Sequence, residues 1–251
     1  MPKAPPKRTS VLYDPIKTMS RMTDDVIVGV SGGKDSAVTL DLCCKYFKHV
    51  IGYFMYYVPG LSFQQRILNY YREKYGIEII ELPHFELSIF YKYGTYRPPD
   101  LSVPLVGIAE IYDYIREQTG IHWIACGERI ADSIVRRAMI KKSGSIDKVR
   151  GRFYPVAYWN KADIMDYIRL HRVKVGEESA VLGFSFGSFQ NRELRPIKEH
   201  YPADFERIKH FFPWVEAGLK REEHFGKMEV NNNGKDENEG NEGKTTQAEE
   251  S

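Results

Sequence analysis

The residues Ser31-Gly32-Gly33-Lys34-Asp35-Ser36 have the types and order that bind phosphate. They follow the apolar run Val26-Ile-Val-Gly-Val30, and after them Ala37, Leu40, Cys44 and Phe47 recur at helical spacing. The six residues therefore occupy a turn from strand into helix. A helix N-terminus presents unpaired N–H groups and a partial positive charge, and paired glycines let backbone approach an anion with no Cβ in the way. Lys34 adds a full positive charge, and the Ser31 and Ser36 hydroxyls can donate to phosphate oxygens. Asp35, an acceptor when ionised, is read as a magnesium ligand or a helix cap. Two commoner motifs do not fit: a Walker loop needs other residues where Val28 and Asp35 stand, and the spacing of Gly29, Gly32 and Gly33 is not that of a dinucleotide fingerprint.

A second candidate is Gly127-Glu-Arg-Ile-Ala-Asp-Ser-Ile-Val-Arg136. Read as part of a helix over 128–142, it puts Arg129, Asp132, Ser133 and Arg136 on one face and Ala131, Ile134, Val135 and Ala138 on another. Arg129, Ser133 and Arg136 are then expected to hold a substrate anion, and Lys34 and Arg129 to offset charge that develops in a reaction. His84, His122, His171 and His200 show no metal-ligand spacing. The stretch Tyr91-Lys-Tyr-Gly-Thr-Tyr-Arg97 mixes aromatic and basic types that suit stacking of a base, but a mobile, partly packed loop is the favoured reading.

These residues need a scaffold, and the rest of the chain predicts one. Strands over 50–56, 77–82, 121–126 and 153–156 alternate with helical patterns. One helix starts at Ser62, where Ser62 and Gln65 have capping-box spacing, and another runs over 104–119 with Gly120 closing it. A further helix starts after Asn160 as N-cap, with Ile164, Tyr167 and Ile168 inward. Repeated βα units of this size predict an α/β fold, a doubly wound, mostly parallel, Rossmann-like sheet with helices on both faces and ligands at the strands' carboxyl ends.

With 251 residues the chain can bury a core without staples. Pro2, Pro5, Pro6 and Pro15 predict an extended arm over 1–22; a nucleotide-binding domain with a C-terminal helical extension follows over 23–225. Residues 226–251 are nearly free of apolar side chains and are expected to be disordered. From Asn231 onward two lysines stand against six acids, so this tail carries −4 of a net +2 and leaves the body at +6. A basic body suits phosphorylated small molecules and nucleic acid alike. Three cysteines, with Cys43 and Cys44 adjacent, make neither a disulfide framework nor a zinc or iron–sulfur site. No apolar run is long enough for a membrane span and no secretory leader is apparent, so a cytoplasmic protein without membrane partners is expected.

Residues 26–36 closely resemble the PP-loop, Ser-Gly-Gly-x-Asp-Ser, of the adenine nucleotide alpha-hydrolase superfamily, matching all five specified positions. The 127–136 stretch is similar to the Gly-x-Arg-x-x-Glu-Ser-x-x-Arg pattern of the phosphoadenosine phosphosulfate reductase branch, with Asp132 in place of glutamate. Tyr154-Pro-Val-Ala-Tyr-Trp159 resembles that branch's Pro-Ile-x-x-Trp element. The branch also holds the small subunit of ATP sulfurylase and FAD synthases. The resemblance implies an enzyme that binds ATP with magnesium, or a sulfonucleotide. The reductases' C-terminal nucleophilic cysteine is missing, since no cysteine follows Cys126 and Gly183-Phe-Ser-Phe-Gly-Ser-Phe189 stands in that region. Met55-Tyr-Tyr-Val-Pro-Gly60 likewise replaces the relatives' Asp-Thr-Gly. The expectation is therefore cleavage of ATP between the α- and β-phosphates to adenylylate an acceptor, sulfate or a nucleic-acid base, with or without a partner subunit. The alternatives are sulfonucleotide reduction by Cys126 or a partner's thiol, and a non-catalytic nucleotide sensor.

Overall fold

The computed structural model describes residues 11–177, 179 and 186–225. Among them, β1 (Asp25–Gly29), β2 (His49–Tyr56), β3 (Glu78–Pro83), β4 (Ile124–Ala125), β5 (Ile146–Asp147) and β6 (Arg152–Phe153) form one sheet in the order β3-β2-β1-β4-β6-β5. Every neighbouring pair is parallel except β5 and β6. Strands β2 and β3 lie on one side of β1 and β4 on the other, so the order reverses beside β1, where sheets of this kind bind ligands.

Alternation along the strands decides which helices cover which face. Val26 and Val28 of β1 and Phe54 of β2 enter one core cluster, whereas Ile27 and Tyr53 enter another. The first cluster holds α1 (Asp14–Met19), α2 (Lys34–Tyr46), α3 (Ser62–Tyr75) and α7 (Lys161–His171) through Ile16, Leu40, Leu68 and Ile164. The second holds α5 (Ile108–Thr119) and α6 (Ile134–Ser143) through Ile115 and Ile140. Helices thus cover both faces. A third, aromatic-rich cluster joins α4 (Glu86–Tyr93) and the start of α3 to α8 (Asn191–His200), α9 (Pro202–Phe211) and α10 (Ala217–Phe225).

Several elements differ from the sequence expectation. Part of the N-terminal arm is helix α1, because Pro15 stands in the first turn, where its missing N–H costs nothing, and Ile16 and Met19 are fully buried. The fourth strand shrinks to two residues, and the antiparallel β5 beside β6 has no counterpart in the expected pattern. The helix expected from Pro104 starts at Ile108, with Gly107 as N-cap. Ser62 is the first residue of α3, not its cap; its hydroxyl donates to the buried Asp204 at 2.6 Å, while Gln65 donates to Glu81. Asn160 does cap α7, in a reciprocal capping box with Asp163. Residues 1–10, the expected acidic tail over 226–251 and residues 183–185 lie outside the described residues.

One buried carboxylate knits the first face. Asp41 of α2 accepts from Tyr75 at 2.8 Å and Tyr167 at 2.7 Å and pairs with Lys45 at 2.6 Å. Burial alone would raise its pKa, but the hydrogen bonds from Lys45, Tyr167 and Tyr75 outweigh it and hold the carboxyl below its ordinary value. Its stabilisation is therefore present above the ordinary pKa of 3.8 and fades as the pH falls through the folded value. Asp41→Ala is expected to lower the unfolding free energy at pH 7 by about 3 kcal/mol, read by urea denaturation, and to lose that penalty relative to wild type in strong acid.

Candidate active site

A cavity of about 480 Å³ lies where β1 and β4 diverge, floored by Gly29, Ser31, Asp35 and Ser36. The turn that delivers these residues depends on Gly32, whose φ of +76° is left-handed. Ser31 and Ser36 place their hydroxyl oxygens 2.9 Å apart, and Ser36 donates to the Gly33 carbonyl at 3.0 Å. Gly33 is the N-cap of α2 and provides no side-chain cap, which leaves the first-turn amides for another acceptor. Gly127 lets the end of β4 pass against this turn: a Cβ there would sit 3.2 Å from the Ser36 nitrogen.

The charged residues form an alternating ladder. Lys34 Nζ lies 2.8 Å from Asp35 Oδ2, Arg129 Nε 3.0 Å from Asp35 Oδ1, Arg129 Nη2 2.7 Å from Asp132 Oδ1, and Arg136 Nη1 3.4 Å from Asp132 Oδ2. This corrects the expected arginine face. Residues 128–133 are not helical but contain a turn closed by Asp132 N–H on the Arg129 carbonyl, α6 begins only at Ile134, and Ser133 caps it by accepting from the Arg136 amide at 3.1 Å. Arg129 is buried and shares Asp132 with Arg136, while Ile134 and Val135 are 84% and 78% exposed. Arg129 Nη1 is buried and finds no hydrogen-bond partner among the described residues. Of the expected anion group only Arg136 lines the cavity; Lys34 is more than a third exposed at the ladder's other end.

Asp35 Oδ2 faces Lys34, whereas Oδ1, buried beside Arg129 Nε, makes no hydrogen bond among the described residues, so the carboxylate expected to hold magnesium stands at the cavity floor between two cations. Among the described residues there is no group of three His, Cys, Asp or Glu side chains that could hold a metal.

The other walls include His84, which no sequence pattern singles out for a site, together with Phe186, Gly187 and Cys126. His84 follows Pro83 at the end of β3 and stacks on Tyr57, ring centroids 4.4 Å apart at 22°. Its Nδ1 accepts from the Glu86 amide at 3.3 Å, which puts the proton of the neutral ring on Nε2. Burial lowers its pKa, the nearby Glu86 carboxylate only partly opposing this, which favours the neutral ring. The carboxyl end of a strand was the available signal; metal-ligand spacing does not reveal it. Phe186 and Gly187 close another side, held where Glu193, 2% exposed, accepts from the amides of Gly187 and Ser188 at 3.1 and 2.8 Å. Cys126 also lines the cavity, but burial, with Glu128 adding to it, pushes its thiol pKa well above the ordinary value.

Arg129→Ala should cost about 3 kcal/mol of stability by leaving Asp35 and Asp132 unpaired, whereas Arg136→Ala should leave the melting temperature unchanged and weaken binding of a phosphate ligand. Nitrogen chemical shifts of His84 should report a neutral ring protonated at Nε2 at pH 7. Because the unfolded chain takes up the proton first, the stabilisation linked to His84 should be whole above pH 6.5 and decline below it.

A family model for the phosphoadenosine phosphosulfate reductase domain matches residues 25–177. A search of curated proteins finds no match. Among solved structures, the chain is similar to the U34-tRNA thiolase NcsA from Methanococcus maripaludis with its 4Fe-4S cluster, at 17% identity over 86% of this chain and 80% of that one, TM-score 0.45. It is also similar to an NH3-dependent NAD synthetase from Campylobacter jejuni in complex with nitrate, at 15% identity over 88% and 96%, TM-score 0.47. Among the described residues, no helix is long and apolar enough to cross a membrane. The family match runs from the first residue of β1 past the end of α7 and takes in both the phosphate turn and the arginine ladder, so the chain belongs to the phosphoadenosine phosphosulfate reductase domain family.

Proposed function

We propose that this protein is an ATP-binding enzyme that cleaves the nucleotide between its α- and β-phosphates and adenylylates an acceptor. The observation that carries the reading is the uncapped helix start of α2 at the floor of a cavity between β1 and β4, with a cation at each end of the ladder. An acceptor oxygen attacks the α-phosphorus, the bond to the bridging oxygen breaks, and pyrophosphate leaves with that oxygen. In this reading the amides of the turn, Lys34 and Arg136 hold the departing pyrophosphate, and Arg129 fixes Asp35 and Asp132 behind them. Sulfate and a nucleic-acid base are both acceptors of the required kind.

One observation favours a second reading. Cys126 lines the cavity, so a sulfonucleotide could meet a thiol there. Its burial, 4% exposed, and raised pKa oppose thiolate chemistry, which is why adenylyl transfer is preferred.

Gly33→Val should abolish ATP binding in a protein that still folds, because the extended backbone of Gly33, φ −76° and ψ 162°, accepts a β-branched residue while the new side chain obstructs the anion. A variant with Cys43, Cys44 and Cys126 changed to serine should still release pyrophosphate from ATP in the presence of a competent acceptor. Unchanged ATP affinity in folded Gly33→Val would remove the site assignment. Sulfite formation from a sulfonucleotide that disappears in Cys126→Ser would replace adenylyl transfer by reduction.

A further inference from the structure

A second pocket of about 320 Å³ shares one wall residue, Tyr57, with the first. Its other walls include Tyr56 and Pro83 at the ends of β2 and β3, Leu87 and Tyr91 of α4, and Phe211 of α9. Four aromatic rings bound one small volume. A serine in the wall, Ser88, has its hydroxyl occupied, donating to the Phe85 carbonyl at 2.7 Å and accepting from the Val106 amide at 3.1 Å. Among the described residues, no charged side chain lines the pocket. Its size and composition suit a small organic ligand and not a phosphate group.

The walls are braced from outside. The Arg97 guanidinium stacks on the Tyr91 ring, 3.6 Å from its centroid, and donates to the Phe211 carbonyl at 3.4 Å, tying two walls together. Lys92 donates to the Val103 carbonyl at 3.0 Å and so fixes the loop that brings Val103 to the rim. Tyr57 is held by its hydroxyl on Glu86 at 2.5 Å and by the stack on His84. The tyrosine-rich stretch over 91–97 is thus part of a preformed aromatic box, where little order has to be imposed on binding.

We propose that this pocket binds a planar, uncharged aromatic ring, and that the ring is the body of the acceptor, whose nucleophilic oxygen reaches the nucleotide cavity past Tyr57. The ring site stands on its own geometry; its role as acceptor site rests on the adenylyl-transfer reading.

The test uses the full chain saturated with ATP, so that the first cavity is occupied, and three uncharged probes of increasing ring size: uridine, adenosine and riboflavin. At least one should bind, seen by saturation-transfer NMR and quantified by calorimetry. Val103→Trp, which fills the pocket from the rim loop, and Tyr91→Ala, which removes a wall, should each weaken that binding about tenfold or more while ATP affinity stays as in wild type. Absence of binding by all three probes, or binding indifferent to both substitutions, would overturn the proposal. Pyrophosphate release is scored separately: its absence while the ring still binds at this pocket would count against adenylyl transfer and not against the site.

Discussion

The alternating charges Lys34, Asp35, Arg129, Asp132 and Arg136 hold together two parts of the chain that lie about a hundred residues apart in sequence. Arg129 is the central member: it is buried, and a guanidinium there is tolerable only because carboxylates meet it from both sides. The turn before α2 is thereby fixed against the turn before α6, and the carboxyl ends of β1 and β4 acquire a shared floor. With three cations to two anions the ladder is one positive charge in excess, and its terminal cations are the more exposed ones, at 38% and 51%. The ladder leaves no uncompensated charge in its interior, and Glu128 adds a third carboxylate to the cavity wall beside Asp35 and Asp132.

The third helical layer shapes what the ladder leaves open. Helices α8 to α10 reach the sheet through an aromatic cluster that includes Tyr57, Phe63, Phe189 and Phe212. Two buried carboxylates fix its position: Asp204 accepts from the amide and hydroxyl of Ser62, and Glu193 from the amides that follow Phe186. Where the resemblance leads one to expect a nucleophilic thiol, the described part of this segment provides a wall, and the same layer contributes Phe211 to the neighbouring aromatic pocket.

The phosphate turn was legible because glycine, hydroxyl and cation types at fixed spacing between a strand and a helix suit an anion and little else. The doubly wound sheet was legible for a related reason, since helical and strand periods alternate in apolar runs that must be buried on both faces. The arginine stretch was misread because periodicity cannot register a buried ion pair. The Arg129 amide and side chain both bind Asp132, which holds residues 129–132 in a turn and delays the helix to Ile134. His84 and Glu193 carry no pattern of their own; one acquires meaning from the strand that ends before it and the other from a loop that only tertiary packing brings near.

The Gly176 amide donates to the Gly32 carbonyl at 2.7 Å, within a segment that follows the last helix packed against α2. The phosphate turn is therefore encoded early and completed late. During synthesis, β1 and the turn would emerge well before the strut that braces them, and the wall at Phe186 later still. Contacts of such long sequence separation form slowly, after local helices. A nascent chain has the binding motif long before it has the binding site, which couples ligand capture to near-complete folding of the domain.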